Sequence, residues 1–207
     1  MKTVIFIFIT LFTIKGHALQ LPLKSEMSQR RVITTRLEMD GYRNLAEIEK
    51  VQSVNRFFNR FQYLKDINEW NKNNYWATPK EFVIHGGGDC EDFAIAKMFH
   101  LIDIGVDSNK LMLAYGKTIP ANRDHIVLLY YKLPSSMPLV LDNNESYLEP
   151  LNERYNLKLV YAFNGGYERN LIAPDKFNLY RVRVNMISGI QELLGRMNLN
   201  KINRVPS

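Results

Sequence analysis

From Phe93 to Ile102 the chain reads Phe-Ala-Ile-Ala-Lys-Met-Phe-His-Leu-Ile, apolar nearly all round at helical period. Such a helix is stable only when other elements cover every face, so the fold must be built around it. The 207 residues suffice for one domain with a core of that kind. Hydrophobic residues at 46% and charged residues at 23% exclude a disordered or low-complexity chain. The helix opens after Gly86-Gly87-Gly88-Asp89 and stops at Gly105.

The other elements arrange themselves before and after it. Ile48, Val51, Val54, Phe57, Phe58 and Phe61 recur mostly three or four apart, which predicts an amphipathic helix over 45–61. Thr78-Pro79-Lys80-Glu81 is a helix start, with a cap, a proline at the first position and a capping-box acid. That helix must end at the glycine run. Residues 19–38 show no such period and are expected to be extended or only partly ordered. Strands are predicted at Leu111–Tyr115, His125–Lys132, Leu139–Asp142, Lys158–Phe163 and Phe177–Val184, then a helix at Ile187–Met197. Helices followed by neighbouring strands predict one α+β domain with an antiparallel sheet.

Lys2, the apolar run Val4–Ile14 and Gly16-His17-Ala18 read as an export signal over residues 1–18, leaving a domain of 19–207. The run falls short of the roughly 20 residues that span a bilayer; an uncleaved anchor is the alternative. Export predicts a periplasmic location. Part of the net charge of +6 leaves with Lys2 and Lys15, and the remainder does not argue for nucleic acid. Arg181, Arg183, Arg196, Lys201 and Arg204 near the C-terminus are either a solvated surface or a face for an acidic partner. The protein is expected to be a monomer.

An exported chain normally pairs its cysteines, yet this one has a single Cys, Cys90. It is either a buried core residue or a reactive thiol. A helix start favours a thiolate, and the preceding glycines leave room and free amides for a substrate and its oxyanion. Of four histidines, His17 lies in the signal, His85 precedes the glycine run and His100 sits ~15 Å along the same helix. His125 opens a strand far enough along the chain to return to Cys90, although a satisfied core histidine would look the same. Asp142 ends the next strand and can orient His125, or serve a turn with Asn143-Asn144. Asp89, Glu91 and Asp92 suit a helix dipole, but they oppose a thiolate. A hard cation such as calcium would neutralise them. Trp76 is read as core or cleft wall, with an oxyanion contact as the alternative.

Four blocks then occur in order: Tyr75-Trp76-Ala77-Thr78-Pro79-Lys80-Glu81, Gly88-Asp89-Cys90-Glu91-Asp92-Phe93-Ala94-Ile95-Ala96-Lys97, His125-Ile126-Val127-Leu128, and Pro138-Leu139-Val140-Leu141-Asp142-Asn143. The series, within about Asn55 to Phe163, resembles the bacterial transglutaminase-like cysteine proteinases of the LapG-type periplasmic adhesin-protease branch. The resemblance implies a papain/transglutaminase-like fold, with the nucleophile helix packed on the antiparallel sheet. It implies Cys90 as nucleophile, His125 as base and Asp142 as orienter. It also implies calcium dependence through Asp89 and Glu91, with Asp92 beside them. The implied substrate is a large surface adhesin, cut near its N-terminus at a pair of small residues to disperse a biofilm. The implied regulator is an inner-membrane cyclic-di-GMP receptor of the LapD type. Asn74 and Asp124 depart from the pattern, which expects an acid and a small residue there. Acyl transfer to an amine, or a non-catalytic binding module on the same fold, are the competing readings.

Overall fold

The structure, a computed structural model, describes residues 24–72, 74–164, 168–170 and 179–198. The export signal read in residues 1–18 lies outside the described residues, as do Lys201 and Arg204. Among the described residues no helix is long and apolar enough to cross a membrane.

The buried helix forms the centre as its composition demands. We label it α5, Cys90–Asp103, and Phe93, Ile95, Met98 and Leu101 in it are buried. It follows α1 (Lys24–Tyr42), α2 (Glu47–Phe58), β1 (Gln62–Tyr63), α3 (Asp66–Glu69), α4 (Pro79–His85) and β2 (Gly87–Gly88). It precedes β3 (Leu111–Thr118), β4 (Asp124–Tyr130), β5 (Leu139–Leu141), β6 (Glu149–Pro150), β7 (Leu157–Phe163), β8 (Glu168–Asn170) and α6 (Leu179–Arg196). Strands β3 to β8 form one six-stranded antiparallel sheet in the order β6-β5-β4-β3-β7-β8. Helix α5 packs on β4, while α2 and α4 cover its other sides. Ile126, Leu128 and Tyr130 of β4 join the helical core, and Val127 and Leu129 join a second apolar cluster.

Two expectations are overturned. Within residues 19–38, the segment from Lys24 is helix α1, not extended chain. It carries almost no apolar stripe, burying Thr35 and Met39 one turn apart. Polar contacts hold it instead: Arg31 Nε donates to the Val83 carbonyl at 2.9 Å and Ser28 Oγ to the Ile84 carbonyl at 2.9 Å. These are carbonyls of the last turn of α4, which a helix end leaves unsatisfied. The strand expected at Phe177–Val184 is also absent from Leu179 onward, where α6 runs unbroken to Arg196. The alternation there is short, and it is overridden by the helical stripe Ile190, Leu193 and Leu194 just downstream, all three buried.

The glycine run does more than end α4. Gly86 caps that helix in the left-handed region at φ 88°. Gly87 and Gly88 pair in parallel with Gln62 and Tyr63. A Cβ on Gly87 would lie 1.9 Å from the Gln62 carbonyl oxygen, and one on Gly88 2.3 Å from Asp92 Oδ2. Gly87→Ala is therefore expected to push β1 off β2 at a cost of about 1–3 kcal/mol, the range for overpacking. The check is a thermal melt, with a fall in Tm of several degrees expected.

Candidate active site

The parallel β1–β2 ladder sets the site. It ends both strands at the same place, so Asp66, just after β1, and Asp89, just after β2, arrive together at the head of α5. Asp89 caps that helix and Asp92 completes a capping box. Asp92 Oδ1 accepts the Ala77 amide at 2.7 Å, and Asp92 Oδ2 accepts the Asp89 amide at 3.3 Å. The Tyr75 amide donates to Asp66.

Cys90 is half-buried at the first position of α5. Its thiol donates to Glu91 Oε2 at 3.1 Å. The amide of Ile126, adjacent to His125 in β4, also points at the sulfur. Burial pushes the thiol well up, the Glu91 and Asp89 carboxylates push it further, and the Ile126 amide acts the other way. With these acids alone around it, the group rests as a thiol, against the pull of the helix dipole.

His125 is buried, and its Nε2 lies 2.8 Å from Asp142 Oδ1. Asp142 is buried as well. It accepts the Asn144 backbone amide on Oδ1 at 2.9 Å and Arg154 Nη2 on Oδ2 at 2.7 Å. Burial alone would raise its carboxyl; the hydrogen bonds and charge of His125, with those from Asn144 and Arg154, hold it well below the usual carboxylate range. An ionised carboxylate only accepts, so Nε2 of His125 carries a ring hydrogen, and in the neutral ring Nδ1 is the nitrogen with the lone pair. The Asn144 side-chain amide lies 3.3 Å from the same Nε2. Gly116 stands opposite His125 in β3 and puts no side chain beside it.

The structure thus brings Cys90 to the strand that carries His125, and joins His125 to Asp142. The other described histidines are elsewhere. His100 is packed on Phe58 and bonded to the Ala96 carbonyl, and burial lowers its pKa. His85 stacks against Trp70. Asp124, one of the two departures noted above, is taken up by Lys117 Nζ and Tyr115 Oη at 2.6 Å each. Asn74 is exposed with a positive φ of 59°.

The acids could hold a metal. Ligand atoms of Asp89, Cys90 and Glu91, and separately of Asp66, Asp89 and Asp92, lie within 4.8 Å of one another. Asp66 Oδ1 and Asp89 Oδ1 are buried without a hydrogen-bond partner. Burial and neighbouring carboxylates push Asp66 up to about 6 and Asp89 up to about 10. Buried anions crowded this way are what a divalent cation relieves, and the oxygen donors suit a hard one.

Trp76 is buried and braced from behind. A Cβ on Gly189 of α6 would lie 2.7 Å from its indole. Arg196 of α6 donates to the Trp76 carbonyl and to Tyr75 Oη, and to Glu81 Oε2 at 3.0 Å. Arg196 is thus no solvated tail residue. Sequence reasoning missed Asp66 and Arg154, and read Asn144 only as a turn residue beside Asp142. Nothing in their spacing marks them; only the strand pairing and the turn after Asp142 bring them in.

The family model described as bacterial transglutaminase-like cysteine proteinase matches residues 25–158. Comparison with curated proteins gives no match. Among solved structures, Legionella pneumophila LapG is 34% identical, with a TM-score of 0.70, over 82% of this chain and 89% of that one. Its EGTA-treated form is 33% identical, with the same TM-score of 0.70, over 82% and 89% of the two chains. Its calcium-bound form is 32% identical, with a TM-score of 0.65, over 78% and 91%.

Proposed function

Because the chain belongs to the bacterial transglutaminase-like cysteine proteinases, we propose that it is a periplasmic, calcium-dependent endopeptidase that cuts a large surface adhesin near its N-terminus. The observation that carries this reading is the buried pair of His125 Nε2 and Asp142 Oδ1 at 2.8 Å, on a strand whose next amide points at the only thiol. In the proposed reaction Nδ1 of His125 takes the Cys90 proton as sulfur attacks the scissile carbonyl. Amides at the head of α5 receive the oxyanion. The leaving amine departs with the proton from His125, and water then hydrolyses the thioester. Asp142 keeps the imidazole in the required tautomer.

Asp89, Glu91 and Asp92, joined by Asp66, are the residues that would hold calcium. The cation supplies positive charge against the carboxylates that otherwise oppose a Cys90 thiolate. Calcium-bound and EGTA-treated forms of Legionella pneumophila LapG support the choice of ion. Release of the adhesin would disperse a biofilm, under an inner-membrane receptor that senses cyclic-di-GMP.

The test is to incubate the protein with N-terminal adhesin fragments, with calcium and with EGTA. One discrete cut at a pair of small residues is expected with calcium, and none with EGTA. EGTA should also lower the melting temperature, since a ligand bound only by the folded state stabilises it. Unchanged cleavage and melting in EGTA would remove calcium from the scheme. A crosslinked product without a cut would replace hydrolysis by acyl transfer to an amine.

A further inference from the structure

Strand β1 has one side that the fold does not use. The Gln62 amide donates to the Gly86 carbonyl at 3.0 Å, and the Leu64 amide to the Gly88 carbonyl at 2.9 Å. Alternate residues of a paired strand turn their polar groups to opposite sides. The N–H and C=O of Tyr63, between these two, therefore face away from β2. The small sheet holds β1 and β2, and among the described residues no backbone bond meets Tyr63 on its outer side. Gln62 and Tyr63 are both exposed. Folds usually cover or blunt such an edge, and an open one is a template for an extended peptide.

This edge lies beside the nucleophile. Tyr63 is the register partner of Gly88, two residues before Cys90. Partners in a ladder carry their side chains on the same face. A Cβ on Gly88 would run into the Asp92 side chain, so that face is the one turned to the head of α5. The Tyr63 ring stands on the same face, across from a glycine that puts nothing in its way. It is 57% exposed, and among the described residues it has no hydrogen-bond partner and no ring contact. Desolvation, and then the charges of Cys90, Asp89 and Glu91, push its hydroxyl up to about 12, in agreement with this placement. A single exposed tyrosine would need no explanation. The open main-chain edge that carries it gives this one a role.

We propose that the outer edge of β1 at Tyr63 is a substrate subsite: its amide and carbonyl pair with an extended peptide, and its ring limits the size of the side chains that reach Cys90. This deepens the protease reading above and rests on it. A peptide on that edge lies two strand spacings from Gly88, ~10 Å, which about three residues of extended chain cover. The paired residue is therefore about three positions from the cut, and the ring overlies the residues between. Small side chains fit beneath it and larger ones collide.

The experiment has two parts. Hydrogen exchange reads the Tyr63 amide in calcium-loaded Cys90→Ala, with and without an excess of an adhesin N-terminal fragment. The amide is unbonded in the free protein, and its exchange is expected to slow about tenfold or more in the complex. Kinetics then compare wild type, Tyr63→Pro, Tyr63→Ala and Tyr63→Phe on that fragment and on one with leucine replacing a small residue beside the cut. An edge strand tolerates proline where its N–H faces outward, so Tyr63→Pro should melt close to Tyr63→Ala. Lacking the donor, Tyr63→Pro is expected to have a KM about threefold to tenfold above that of Tyr63→Ala, with kcat little changed. Tyr63→Ala should cut the preference for the small residue over leucine by about tenfold, and Tyr63→Phe should keep it. A Tyr63 amide that exchanges equally fast in the complex overturns the proposal, and this decides the matter even if a variant fails to fold. So does a Tyr63→Ala variant with the wild-type preference. A fragment that protects Tyr63 but is not cut by wild type leaves the subsite standing and removes the protease reading. Neither protection nor cleavage removes both.

Discussion

Cys90→Ala is expected to abolish cleavage, by roughly 10³-fold or more, while leaving the melting temperature within a degree or two of wild type. The size follows from the absence of a second thiol: the chain has one Cys, and its sulfur is the group that the Ile126 amide meets. The small effect on stability follows from the position. The side chain is half-buried at a helix head, and its hydrogen bond to Glu91 brings a thiol to a crowded carboxylate. Loss of Sγ leaves a small gap between Glu91 and the edge of the core. Peptide-bond cleavage followed by mass spectrometry is the measurement. Full activity in the variant would return Cys90 to the role of a packing residue.

The second large effect is expected at Arg154, which sequence reasoning did not single out. Arg154→Met leaves the buried Asp142 without its bonded cation. Removing one member of a buried pair costs about 3–5 kcal/mol, far more than a surface pair contributes. Asp142 has a depressed pKa in the folded protein, so the stability it contributes is full above the unfolded value near ~4 and is lost as pH falls through the folded value. The gap between wild type and variant should therefore be wide at about pH 7 and narrower, though still open, at about pH 3, because the folded value lies lower still. Urea unfolding at the two pH values measures it. Activity should fall with stability, because an unanchored Asp142 no longer fixes the ring of His125. Equal unfolding midpoints at neutral pH would show that Asp142 does not need Arg154 as its bonded cation.

What the sequence made legible divides along a physical line. Helices α2, α4 and α5 follow from apolar period and end signals, and Thr78, Glu81 and Gly86 cap α4 as their chemistry requires. Strands β3, β4, β5 and β7 follow from β-branched and aromatic runs. Helix α1 was hidden because guanidinium and hydroxyl donors on the carbonyls of another helix hold it, and such contacts leave no periodic trace. Helix α6 was half hidden because a short alternation at its start imitated a strand. In the site, Cys90, His125 and Asp142 could be found one at a time from helix and strand ends. Asp66 could not, because it reaches Asp89 only through a parallel pairing of two residues on each strand. Arg154 and Lys97 are ordinary cations in the sequence, and burial alone separates them from the others.

The brace behind Trp76 has a temporal consequence. Arg196 and Gly189 follow every other element of the domain in chain order, whereas Cys90 comes near its middle. A polypeptide made from its N-terminus exposes the sulfur early and gains the prop behind the Tyr75–Trp76 segment last. The Tyr75–Trp76 segment therefore reaches its final packing only once α6 has been made and docked.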